Sequence, residues 1–127
     1  MASRAFPVIY SRSVVLAERF YSKLDFNVIF RLPPDGEPGY LSLRRGDAEL
    51  GIVSAAWPRE QLGLDTGTEP RFELFVYVDD VDATIESFRE SLIKEPQDMP
   101  WGERIAYIRD PDGNPVALAA PSSSATP

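Results

Sequence analysis

Histidine and cysteine are both absent from the 127 residues. Without cysteine the chain has no disulfide, no thiolate nucleophile and no thiolate metal site, which fits the reducing cytoplasm. Without histidine it lacks the commonest metal ligand and the commonest general base. Together the two absences exclude Ser/His/Asp and Cys/His catalytic sets. No apolar run approaches the roughly 18 residues that span a bilayer, and no signal-peptide pattern is present, so a cytoplasmic location is expected. Positive charge is scarce. Thirteen Lys and Arg face 20 Asp and Glu, a net charge of −7. That balance disfavours nucleic acid and anionic membrane as partners and mildly favours a cationic ligand. A glycine-rich phosphate loop is also missing, because "GDAELG" (Gly46 to Gly51) has neither the spacing nor the context of one.

What is present suits one globular domain. The chain is 43% hydrophobic and 26% charged, an ordinary balance, and it is long enough for a real core. An offset of 67 residues superposes Tyr10 on Tyr77, Val14 on Val81, Pro33 on Pro100, Tyr40 on Tyr107 and Gly46 on Gly113 without a gap. The coincidences recur in the same order of elements, which points to an internal duplication. Each half reads as strand, helix and further strands. "FPVIY" and "FELFVYV" (Phe72 to Val78) are rich in aromatic and β-branched residues and predict strands. Ser13 and Asp80 stand where helix N-caps belong. After them Val14, Ala17, Tyr21 and Leu24, and then Val81, Ile85, Phe88 and Leu92, follow helical spacing. Further strands are expected at Asn27–Leu32, Tyr40–Arg44, Glu49–Ser54, Arg104–Arg109 and Pro115–Ala120. "DPDGN" (Asp110 to Asn114) is a hairpin turn, and "PPDGEPG" (Pro33 to Gly39) is a loop. Residues 1–121 are expected to form one domain with modules at about 5–54 and 71–121. A linker over 55–70, marked by Pro58, Gly63, Gly67 and Pro70, separates them, and a disordered tail covers 122–127.

The runs "PVIYSRSVVLAERFYSKLDF", "VYVDDVDA" and "PWGERIAYIRDPDGNPVAL" resemble the vicinal oxygen chelate superfamily of glyoxalase and bleomycin-resistance proteins. The likeness extends from about Phe6 to Pro121. Asp25, where the family usually has glycine, and Ser13, where it usually has aspartate, depart from the pattern. The resemblance implies an α+β fold: two βαβββ modules forming a curled mixed sheet around a shared cavity, completed in a homodimer. Metal-dependent members place their ligands at positions that map to Phe6, Leu50, Glu73 and Ala117. Only Glu73 could ligate, and one carboxylate cannot hold a catalytic divalent ion. No metal and no cofactor are therefore expected, and the strand after the well-marked hairpin displays alanines because that ligand set is gone.

The remaining candidates are mostly aromatic. Trp57 in the linker and Trp101 in the loop "DMPWGER" either cap a core or line a site. Trp101 is the stronger ligand candidate, because the resemblance implies an aromatic on this loop that stacks on planar ligands. Phe6, Phe30, Tyr40, Phe75 and Tyr107 lie on segments that would curve around the cavity. Glu73, set among Phe72, Leu74 and Phe75, could be a buried proton acceptor, could bind a ligand amine or hydroxyl, or could pair with Arg104. Asp79, Asp80 and Asp82 read as a helix cap and a solvated first turn. These features, with the resemblance, lead to an antibiotic-binding protein. It would sequester a planar cytotoxic natural product, of bleomycin, mitomycin or anthraquinone/enediyne type, without metal or catalysis. The alternative is a metal-independent enzyme of the same fold with Glu73 as acid or base. A ligandless scaffold protein is a third possibility.

Overall fold

A computed structural model describes residues 4–67 and 69–122. It divides into two compact units, Met1–Thr68 and Glu69–Pro127. Each unit holds one four-stranded mixed sheet.

In the first unit the strands are β1 (Val8–Ser11), β2 (Asn27–Leu32), β3 (Tyr40–Arg45) and β4 (Ala48–Ser54), in the order β1-β4-β3-β2. β1 runs parallel to β4, and the other pairs are antiparallel. Helix α1 (Val14–Ser22) starts where Ser13 accepts the Leu16 N–H in its side chain. Val14, Ala17, Phe20 and Tyr21 form the buried stripe of α1, the period-3.6 pattern of a helix laid on a sheet. The Tyr21 ring meets Phe20 and Phe26 edge-on at 5.0 and 5.8 Å. Ile9, Leu41, Leu43, Leu50 and Ile52 alternate onto the same core. Asp25, just past α1, holds φ +67°, the left-handed conformation that glycine adopts most readily. That conformation accounts physically for the glycine implied at this position.

The second unit repeats the plan with β5 (Leu74–Tyr77), β6 (Leu92–Asp98), β7 (Glu103–Arg109) and β8 (Pro115–Pro121), in the order β5-β8-β7-β6. Asp80 caps α3 (Val81–Thr84) by accepting the Ala83 N–H at 3.1 Å. The regular helix expected through Leu92 stops early. Residues Ile85–Ser91 tighten into 3₁₀ turns, Phe88 leaves helical geometry at φ −130°, and Leu92 opens β6 opposite Ile108. β6 itself was not expected. Its sequence, LIKEPQD, is mostly polar, contains a proline and is interrupted by register shifts, all features of an edge strand.

The "linker" contains a helix, α2 (Ala56–Leu62). Pro58 lies in its first turn, where a missing N–H costs nothing, and Gly63 closes it at φ +68°. Of the four loop markers, Pro58 and Gly63 are thus its start and stop signals, and Gly67 and Pro70 lie beyond it. Of the expected tail, 123–127 lie outside the described residues. Ser122 is buried, and its N–H donates to the Gly102 carbonyl at 2.9 Å.

Register corrects the gapless repeat. Val8 pairs with Gly51, whereas Phe75 pairs with Ala117. Ala117 is therefore level with Gly51 and not with Leu50. Likewise Tyr40 is opposite Val53 and Tyr107 opposite Ala117, so the two tyrosines share a face at different levels. The slip has two sources: Tyr107, two residues short of the offset, takes the level that Ser42 has beside Gly51, and the longer second hairpin gives one residue back. Arg45 pairs directly with Ala48 across Gly46 and Asp47. In the second unit Asp110 donates to the Asn114 carbonyl across Pro111, Asp112 and Gly113, one residue more.

Candidate functional site

Alternation along β1, β4, β3 and β2 presents Val8, Tyr10, Gly51, Val53, Tyr40, Ser42, Phe30 and Leu32 on the face away from α1. A bulge between Val28 and Phe30 resets the phase of β2. Val28 is thereby opposite Leu43 on the helix side, while Phe30 is opposite Ser42 on the other.

This face carries a cavity of about 740 Å³, walled by Val8, Tyr10, Tyr40 and Val53 and by Trp57 and Glu60 of α2. The volume suits a drug-sized ligand. A smaller hollow of about 380 Å³ adjoins it at Tyr40 and is lined by Arg4, Phe6, Ile29, Phe30 and Ser42. Phe30 and Tyr40 meet there with ring centroids 6.3 Å apart. The Tyr40 hydroxyl is 2.8 Å from the Ser42 hydroxyl, and Arg4 lies 4.8 Å over the Phe6 ring while bonding Glu49. Arg4 holds the Glu49 carboxyl below its usual range, mainly by hydrogen bonding. Gly51 is the floor. A Cβ there would stand 3.1 Å from the Tyr40 hydroxyl and from Val8.

In the second unit the face away from α3 carries Phe75, Tyr77, Ile105, Tyr107, Ala117 and Ala119. Met99 and Tyr107 pack against Ile105, Ala117 and Ala119, so the alanines are covered and do not form an open floor. Glu103 anchors two aromatic groups here. It accepts the Tyr77 hydroxyl at 2.7 Å and the Trp101 indole N–H at 2.8 Å.

Of the sequence candidates, Phe6, Phe30 and Tyr40 come together, and Trp57 joins Tyr40 across the larger cavity. Phe75, Trp101 and Tyr107 belong to the second unit, with Phe75 6.1 Å from Tyr77. Glu73 is exposed and precedes β5, so a buried proton acceptor is not what it is. Nor does it meet Arg104. That arginine is turned to the helix side of its sheet, where it binds Asp82 through two hydrogen bonds and Asp98 through a third. Asp82, expected as a solvated charge, is the tie between α3 and β7. Val8, Tyr10, Val53 and Glu60 were missed, as were Tyr77 and Glu103. Period-2 alternation from Phe6 would have reached Val8 and Tyr10. Nothing local pointed to Glu60 while α2 was read as a linker.

The ligand positions of metal-dependent relatives do not fit a metal here. Leu50 is buried on the helix side opposite Leu43, its geometric replacement is Gly51, and Phe6 and Ala117 offer no donor. Among the described residues no group of three His, Cys, Asp or Glu side chains is placed to hold an ion. No helix among them is long and apolar enough to cross a membrane.

Comparison with known proteins supports the topology. Residues 8–118 match the model of the Glyoxalase/Bleomycin resistance protein/Dioxygenase superfamily. The uncharacterized protein YraH of Bacillus subtilis (strain 168) is 28% identical over 93 residues, covering 66% of this chain and 73% of YraH. The structure of hypothetical protein SA1046 from S. aureus superposes with a TM-score of 0.78 at 18% identity, over 94% of this chain and 95% of that one. A bleomycin-binding protein complexed with bleomycin superposes with a TM-score of 0.59 at 24% identity, over 95% and 100% of the two chains. At these identities the structural likenesses speak for the fold alone. The family match covers most of the chain, and the protein belongs to the glyoxalase/bleomycin resistance protein/dioxygenase superfamily.

Proposed function

We propose that this protein binds a planar, largely apolar natural product and holds it unchanged, conferring antibiotic resistance by sequestration in the cytoplasm. The observation that carries the proposal is the cavity of about 740 Å³ beside β1, β3 and β4, with the rings of Tyr10, Tyr40 and Trp57 in its walls. Flat rings packed on flat rings add about 0.5–1.5 kcal/mol per pair beyond burial. A ligand of about 40 heavy atoms at roughly 0.3 kcal/mol each reaches about −12 kcal/mol, a nanomolar affinity that needs no covalent step. The superfamily holds enzymes as well as resistance proteins. Here the candidate base, Glu73, is exposed and lines neither hollow of the first unit. The structurally similar bleomycin-binding protein supports the class of ligand.

Calorimetric titration with bleomycin, mitomycin C and an anthraquinone tests the proposal. At least one should bind stoichiometrically and be recovered unchanged by mass spectrometry. Trp57→Ala should weaken binding by about 1–3 kcal/mol, as ring truncation at a contact does. Conversion of many equivalents by the wild type, lost in Glu73→Gln, would replace sequestration with catalysis.

A further inference from the structure

Glu103 lies on β7 two residues before Ile105 and four before Tyr107, so it shares their face. Both of its oxygens are engaged, and by neutral aromatic donors: the Tyr77 hydroxyl at 2.7 Å and the Trp101 indole N–H at 2.8 Å. Among the described residues no lysine or arginine forms an ion pair with it. The adjacent Arg104 is committed to Asp82 and Asp98 on the opposite face. A carboxylate that accepts such bonds is favoured in its charged form. Tyr77 first, and Trp101 second, hold this one below its usual range. Each oxygen keeps a further lone-pair direction for another donor.

The surroundings suit a cation. Trp101 is 64% exposed and Tyr77 52% exposed, and Phe75 beside Tyr77 is 44% exposed. The faces of such rings attract ammonium groups. Glu103 is only half-buried, so an incoming ammonium can reach its remaining lone pairs without opening the fold. We propose that Glu103, Tyr77 and Trp101 form a recognition site for the protonated amine of an aromatic amine, which the net charge of −7 helps to attract. The proposal rests on the ligand-binding function above only in taking the ligand to be aromatic, and its residues belong to the second unit, whereas the cavity at Trp57 belongs to the first.

The test uses 1-naphthylmethylamine, charged at pH 7.5, and its neutral counterpart 1-naphthalenemethanol, titrated calorimetrically into the full chain. The amine should bind about five- to tenfold more tightly, from one exposed ion pair and one or two ring contacts. Glu103→Gln should abolish that preference, and Glu60→Gln, at the other cavity, should preserve it. In a Trp57→Phe background the amine should still quench Trp101 fluorescence. Equal affinity of the two probes for the wild type overturns the proposal while leaving aromatic binding intact. So does a preference that disappears with Glu60→Gln instead. Failure of both probes to bind at millimolar concentration overturns the aromatic-binding reading as well.

Discussion

Asp25 holds its left-handed φ of +67° with its N–H on the Ser22 carbonyl at 3.1 Å. A side chain in that conformation crowds its own backbone, and aspartate tolerates it better than most residues but less well than glycine. Asp25→Gly is therefore expected to stabilise the protein by about 0.5–1 kcal/mol, a rise of a few degrees in melting temperature. Scanning calorimetry decides it, and a fall would show that the aspartate side chain contributes more than its backbone costs. The same residue-level accounting explains Gly51. It is small because Tyr40, Val8 and Phe6 already occupy the space above it, all within 3.2 Å of a hypothetical Cβ.

At the scale of elements, the DPDGN hairpin is held by its own polar side chains. The Asp110 carboxylate accepts the Asp112 and Asn114 N–H groups at 2.9 and 2.8 Å and the Asn114 amide at 3.0 Å, and the Asn114 oxygen accepts the Arg71 N–H. Asp110 and Asn114 are buried. Asn114→Ala removes the amide donor to the buried Asp110 carboxylate and the acceptor of the Arg71 N–H and should cost about 2–4 kcal/mol in urea unfolding. A loss below about 0.5 kcal/mol would mean that water replaces the amide. Two other ties depend on pH. Asp82 is held below its ordinary value by its hydrogen bonds to Arg104, and Glu103 by Tyr77 and then Trp101. Their stabilisation is present above the unfolded carboxylate values and is lost as pH falls through the lower folded ones, below about pH 4. Tyr77 is raised by donating to Glu103. Its contribution is present below the unfolded phenol value and disappears as pH rises through the folded one, above about pH 10. Melting temperature followed from pH 3 to 11 should be flat between these limbs. The acid limb should be shallower in Asp82→Asn, and an unchanged limb in that variant would remove Arg104 as its cause.

For the whole molecule, the telling feature is β2. It is an edge strand whose Val28, Ile29, Phe30 and Leu32 are 44–51% exposed. Apolar edges of this kind invite pairing with another chain. We expect a homodimer that covers β2, with twice the chain mass by light scattering at tens of micromolar protein. Ile29→Lys should shift it toward monomer without lowering helix content. A wild-type monomer at that concentration would show that β2 stays open to solvent.

Local rules made much of this fold legible. Period-2 and period-3.6 patterns located α1 and most strands, because those patterns record which side of an element meets the core. The Ser13 and Asp80 caps were legible because a cap needs only a side-chain oxygen beside free N–H groups. The composition alone removed histidine and cysteine chemistry. Tertiary structure decided what depends on distant partners. β6 is an edge strand whose polar, proline-containing sequence carries no alternation, and its place is set by β7. The slip that makes Gly51, not Leu50, the counterpart of Ala117 is the net of two residues lost before β7 and one gained in the second hairpin, and a one-residue shift exchanges the faces of a strand. That rule also placed Arg104 against Asp82 and left Glu103 facing Tyr77, although the two are neighbours in sequence. Trp57 and Glu60 became cavity walls only once α2 had folded beside β1 and β4.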